Sequence, residues 1–194
     1  MSLFTFSSEN WNRPEEEINY LMKLLASGLK DEIGKLNEHN IRLHVIGDLT
    51  RFSQEIHEGI VEAEQSTSQN TGLNLVIAAN YGGRWDIVQT AQKLAKAAVS
   101  GEIKVEDIDE SIFSKYIMLA DLPEPDLFIR TSGEIRISNF FLWQLAYCEL
   151  YFTDILWPDF DYIKQAVDSG INTLMIALYT VRPNNIISGD FFGT

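Results

Sequence analysis

Apolar residues along this chain follow two rhythms. Short apolar, β-branched runs occupy residues 3–6, 42–46, 73–79, 126–129 and 150–155, and they read as strands. Between them apolar positions recur at helical spacing. The clearest case follows Pro14, where Ile18, Leu21, Met22, Leu25, Leu29, Ile33 and Leu36 repeat at i, i+3, i+4 and i+7. Glu15, Glu16 and Glu17 occupy its first turn, where carboxylates complement the positive end of the helix dipole. Further helices are predicted over residues 53–66 and 86–100 and near 139–147. Strands alternating with helices predict an α/β fold, a mainly parallel β-sheet flanked by helices. No repeat, low-complexity tract or linker interrupts residues 1–194, which read as a single domain.

Composition narrows the function. A formal charge of −13 opposes general attraction to DNA or RNA, so no nucleic-acid partner is expected and any anion site must be local. The lone Cys148 cannot form an internal disulfide, and its apolar surroundings predict a small buried side chain in a reducing, cytoplasmic setting. The first six residues show no leader pattern. The apolar run at 173–181 is far shorter than the ~20 residues that span a bilayer, which leaves contact with a membrane surface open but not a crossing.

In an open parallel sheet, ligands collect beyond the carboxyl ends of the strands. Three polar clusters fall there. The first, Ser7-Ser8-Glu9-Asn10-Trp11-Asn12-Arg13-Pro14, suits a polar head group beside an apolar body, and equally suits a helix cap with an anchoring Trp. The second, Asn80-Tyr81-Gly82-Gly83-Arg84-Trp85-Asp86, reads as a tight turn with Arg84 in a structural ion pair, or as a ligand loop. The third runs from Arg130 through Thr131, Ser132, Gly133, Glu134, Ile135, Arg136 and Ile137 to Ser138. Two arginines, hydroxyls and a glycine in one loop are what a diphosphate requires: forked donors matched to phosphate oxygens and accessible backbone N–H groups. Glu149 opens the last of the five strand runs as either an ion-pair partner or a ligand for a hard cation such as Mg²⁺. His39, His44 and His57 lack metal-ligand spacing, and no GxGxxG, P-loop or GxSxG signature occurs.

Taken in order, these segments resemble the cis-prenyltransferases, the family of the bacterial undecaprenyl diphosphate synthases. The resemblance rests on the stretch from Phe6 to Pro14, on Asn70-Thr71-Gly72-Leu73, on Ala78 to Asp86, on Pro125 to Phe140, and on Leu142 to Phe160. It implies condensation of isopentenyl diphosphate onto an allylic (farnesyl) diphosphate to make a long polyprenyl (undecaprenyl) diphosphate, the lipid carrier of cell-wall synthesis. It implies Asn10 as a catalytic residue that relays the departing proton. Ser7, Ser8, Glu9, Trp11, Arg13, Arg130, Arg136, Ile137 and Ser138 become substrate-binding residues, and Glu149 a Mg²⁺-associated carboxylate. A homodimer and peripheral membrane contact through the product are also implied.

Two departures accompany the resemblance. The family's first strand, with its Asp-Gly-Asn segment, has no counterpart in this sequence, which predicts weak or absent activity for these 194 residues alone and a sheet short of a strand with an unpaired edge. Residues 162–194 match no family motif. A non-catalytic partner subunit of such an enzyme is therefore the alternative expectation.

Overall fold

The computed structural model describes residues 1–156 and 173–177. Among them six strands form one sheet: β1 (Ser2–Ser7), β2 (Arg42–Ile46), β3 (Asn74–Tyr81), β4 (Leu127–Arg130), β5 (Glu149–Phe152) and β6 (Leu174–Ala177). The order is β2-β3-β1-β6-β4-β5, and every pairing is parallel. The described connections contain α1 (Glu15–Asp31), α2 (Ile33–Glu38), α3 (Gln54–Thr67), α4 (Gly83–Val99) and α5 (Glu110–Tyr116). None of these helices is long and apolar enough to cross a membrane.

Successive strand residues point to opposite faces, and the strands supply apolar side chains to both. Leu3, Val45, Leu75, Ala79 and Ile129 join one core with Leu29, Leu36, Ile56, Ile60 and Ala63 of α1, α2 and α3. Their neighbours Phe4, Ile46, Val76, Ala78 and Phe128 join a second core with Tyr81, Phe140, Phe141 and Leu145. Burial on both faces explains why β1, β3 and β4 read as continuous apolar runs rather than as an alternation, whereas β5 at the sheet edge leaves Leu150 and Tyr151 exposed.

Four expectations change. The helix predicted from Ile18 to Leu36 is broken at Glu32 into α1 and α2. Gly28 and Gly34 bracket the break, each weakening a helix by about 1 kcal/mol relative to Ala. Near 139–147 there is no helix but a series of turns, because Ser138, Asn139 and Phe141 hold φ of 46°, 61° and 45°. Those values are left-handed and cannot continue a right-handed helix. Third, no unpaired edge lies beside β1, which pairs with β3 on one side and with β6 on the other, Leu3 opposite Ile176. The strand filling that place comes from the stretch that matches no family motif, and its Ile176 is fully buried. Fourth, Cys148 is half-buried rather than buried, and burial, with Asp126 and Glu149 nearby, pushes its thiol up to about 11. The Trp157 to Phe160 part of the last matching stretch, and the remainder of 162–194, lie outside the described residues.

Candidate functional site

The connection leaving β1 runs towards β2, whereas the one leaving β3, the neighbour of β1, runs the other way to β4. Such a reversal opens a crevice at the carboxyl ends of the strands. The turns after β1, β3 and β4 meet there.

After β1 the chain makes one turn of 3-10 helix, Ser8–Asn12. Asn10 organises it: its Oδ1 accepts from the Ser7 N–H at 2.7 Å and its carbonyl accepts from the Arg13 N–H at 3.0 Å. The residue is 7% exposed. A carboxamide oxygen has two acceptor positions, and the Ser7 amide takes one of them. Trp11 is fixed on several sides. Its Nε1 donates to Asn80 Oδ1 at 2.8 Å, its ring meets Phe6 edge-on at 5.1 Å, and the Arg51 guanidinium lies 4.1 Å above it. Arg13 reaches Glu17 at 3.4 Å.

The turn after β3 requires glycine at position 82 for space rather than for backbone conformation. Its φ of −155° is open to any residue, but a Cβ there would sit 2.7 Å from Ser8 Oγ and 2.8 Å from Asn139 Nδ2. Arg84, at the start of α4, is exposed and makes no ion pair among the described residues, so the structural ion-pair reading of Arg84 does not hold there.

In the loop after β4, the two arginines have separate places. Arg130 is completely buried, and its Nη1 donates to the Arg136 carbonyl and to Ser138 Oγ, each at 2.7 Å. Arg136 is exposed and pairs with Glu134 at 2.8 Å. Among the described residues the hydroxyl of buried Thr131 has no hydrogen-bond partner. Gly133, at φ 72°, turns the loop back so that its N–H donates to the Thr153 carbonyl at 3.0 Å. Ile137 packs against the second core. Phe140 and Phe141, both 0% exposed, anchor the far end, with Phe140 stacked on Phe4 at 4.4 Å.

Asn139 joins all three turns, and its role could not be read from residue type and spacing. Its carbonyl accepts from the Gly83 N–H at 2.6 Å and its Oδ1 from the Arg84 N–H at 2.9 Å, while its Nδ2 donates to Glu9 Oε1 at 2.8 Å. The one available hint is that Asn, next to Ser138, tolerates left-handed backbone better than most residues. Burial opposes charge on Glu9, but donors from Asn139, its own backbone amide and Ser8 outweigh that and hold its carboxyl below the usual 4.5. Glu9 is thus tied to Asn139, the residue that follows the Arg130 to Ser138 loop, Ser8 Oγ approaches the same Gly82 position as Asn139 Nδ2, and Trp11 is held on Asn80; Ser7 and Asn10 lie in the same turn.

Glu149 is not brought there. It opens β5 opposite Leu127, whereas Phe152 lies opposite Arg130. Three residues of strand, roughly 10 Å, separate it from the loop end. Among the described residues no three His, Cys, Asp or Glu side chains are grouped to hold a metal ion, so Glu149 does not by itself form a Mg²⁺ site.

Residues 1–169 match the family model described as "Putative undecaprenyl diphosphate synthase". The chain belongs to that family. It is 56% identical over 161 residues to the ditrans,polycis-undecaprenyl-diphosphate synthase ((2E,6E)-farnesyl-diphosphate specific) of Vibrio cholerae, a match covering 83% of this chain and 64% of the relative. It is 56% identical over 171 residues to the isoprenyl transferase of Neisseria meningitidis serogroup A, covering 88% of this chain and 66% of that one. This undecaprenyl diphosphate synthase family member therefore spans just under two thirds of these relatives' length. Its fold is similar to that of lavandulyl diphosphate synthase from Lavandula x intermedia, solved in complex with dimethylallyl diphosphate. The TM-score is 0.82 at 37% identity, over 87% of this chain and 74% of that one. A "probable undecaprenyl diphosphate synthase" from Campylobacter jejuni gives 0.76 at 32% identity, over 87% and 77%. The expected family and the expected α/β architecture are both borne out.

Proposed function

We propose that this chain is a cis-prenyltransferase, condensing isopentenyl diphosphate repeatedly onto farnesyl diphosphate to give undecaprenyl diphosphate, a carrier for cell-wall synthesis. One observation carries the reading: the Asn10 turn and the Arg130 to Ser138 loop face the same crevice, tied by the 2.8 Å hydrogen bond from Asn139 to Glu9. The names and folds of the relatives support it.

The buried Arg130 shapes the isopentenyl diphosphate cradle. Because Ser138 Oγ accepts from Arg130, its own proton is left to donate outward to a phosphate oxygen. Exposed Arg136 exchanges Glu134 for the diphosphate, to which its planar fork is matched. Ser7, Ser8, Glu9, Trp11, Arg13 and Ile137 line the remainder. In each cycle the allylic C–O bond breaks, its diphosphate leaves with the electron pair, a C–C bond forms to the isopentenyl alkene, and a proton departs. Asn10, a poor base as a neutral carboxamide, relays that proton to the departing diphosphate rather than keeping it. Mg²⁺ would neutralise charge on the substrate's phosphates; the residues at the crevice do not form its site, and no step is assigned to Glu149.

The proposal includes a homodimer, a cytoplasmic location and contact with a membrane through the lipid product. Exposed Tyr147, Leu150 and Tyr151 on or beside the edge strand β5 favour a second copy as partner. The test is incubation with labelled isopentenyl diphosphate, farnesyl diphosphate and Mg²⁺. Long labelled product from the wild type, reduced at least 100-fold in Asn10→Ala, is expected for a proton-transfer residue. Equal product from both would remove Asn10 from the mechanism.

A further inference from the structure

We infer that Asn139 is a positioning residue that sets the Asn10 turn against the diphosphate loop, acting through Glu9 rather than on substrate. The inference rests on the functional reading above and adds a residue that the reading does not use.

Two independent features build the joint. The first is the polarity of the Asn139 side chain. Its acceptor must face the Arg84 N–H, a donor only, so its NH₂ is directed at the Glu9 carboxylate. The amide thereby caps the N-terminus of α4 with one end and holds the β1 turn with the other. Its backbone carbonyl, bound to the Gly83 N–H, fixes the residue itself. The second feature is the glycine beneath it. Gly82 has backbone angles any residue adopts, yet a Cβ there would lie 2.7 Å from Ser8 Oγ and 2.8 Å from Asn139 Nδ2, so a side chain at this position would push both aside. Glu9 lies directly before Asn10, and Ser138 directly before Asn139. A shift at the joint therefore moves the proton-relay residue relative to the phosphate-binding hydroxyl, and misplacement of reacting groups by about 1 Å is enough to cost on the order of 100-fold.

Capping and positioning can be separated because they use opposite ends of one amide. Asn139→Asp keeps the acceptor for Arg84 N–H, and a carboxylate is favourable at a helix N-terminus. It loses the donor to Glu9 and sets two carboxylates face to face. Asn139→Asp combined with Glu9→Gln restores the hydrogen bond with donor and acceptor exchanged. The experiment measures melting temperature, isopentenyl diphosphate KM and kcat, and amide hydrogen exchange at Ser7, whose N–H is held by Asn10 Oδ1. The expected result is an Asp variant that melts close to wild type, with kcat/KM down at least tenfold and Ser7 exchange at least tenfold faster, the exchange largely recovered in the double variant. Wild-type kinetics and exchange in the Asp variant would overturn the inference, as would accelerated Ser7 exchange that the double variant does not recover. If the wild type neither binds nor turns over isopentenyl diphosphate, it is the functional reading that fails. The coupling is then decided by Ser7 exchange alone, where unchanged rates overturn it and acceleration with rescue supports it.

Discussion

The Asn10 turn and the loop after β4 serve one crevice, yet they are held in opposite ways. The turn closes its own backbone from within, Asn10 taking the Ser7 and Arg13 amides inside seven residues, and only side chains tie it outward, Trp11 to Asn80 and Glu9 to Asn139. The loop is held from outside. Thr153 and Ile155 accept its amides, Gly83 and Arg84 are bonded by Asn139, and Phe140 and Phe141 sit in a core built by Phe4 and Tyr81. Its left-handed residues Ser132, Ser138, Asn139 and Phe141 are kept there by those anchors although none is glycine. Such backbone costs energy and persists only where surroundings determine it. Both respond to a change at Asn139, the loop through its own backbone and the Asn10 turn through the hydrogen bond to Glu9.

Breaking the outer anchor tests this contrast most severely. Phe140→Ala removes a fully buried ring and is expected to lower stability by about 3–5 kcal/mol, read from urea unfolding. It should also weaken isopentenyl diphosphate binding, while a core deletion of similar cost on the other face, such as Ile60→Ala, should leave the affinity of the folded protein unchanged. Gly82→Ala comes next, at about 1–3 kcal/mol of overpacking, because its methyl would displace Ser8 and Asn139 together. Asn10→Ala should cost about 1 kcal/mol of stability, the usual value of a lost cap, with its large effect reserved for turnover. The smallest effect is that of Glu9. Its carboxyl is held below 4.5 in the folded state, so its contribution is present above that pH and lost as pH falls through the depressed value. Unfolding curves of wild type and Glu9→Gln should therefore differ near neutrality and converge in acid.

The same contrast decides what the sequence could reveal. Strands buried on both faces announce themselves as apolar runs, and α1 by its periodicity and acidic first turn, because each pattern is local. The Ser7 to Arg13 cluster was legible as a cap for the same reason. The stretch near 139–147 reads as a helix from its sequence; the signals against it are partners more than 50 residues away, Gly83 and Arg84 among them. Likewise Arg130 and Arg136 are equivalent in sequence, and only the fold separates a buried brace from an exposed side chain paired with Glu134. The pairing of β6 with β1 and β4 is long-range and leaves no mark in the residues themselves beyond an apolar run.

The account stands most directly on calorimetric titration of isopentenyl diphosphate into wild type and Arg136→Ala. A charge-assisted bidentate contact contributes about 1.5–3 kcal/mol, so the variant should bind roughly 10- to 100-fold more weakly while unfolding at the same urea concentration. Equal affinity in the two proteins would mean that the diphosphate does not sit in the loop after β4, and the proposed crevice would lose its ligand.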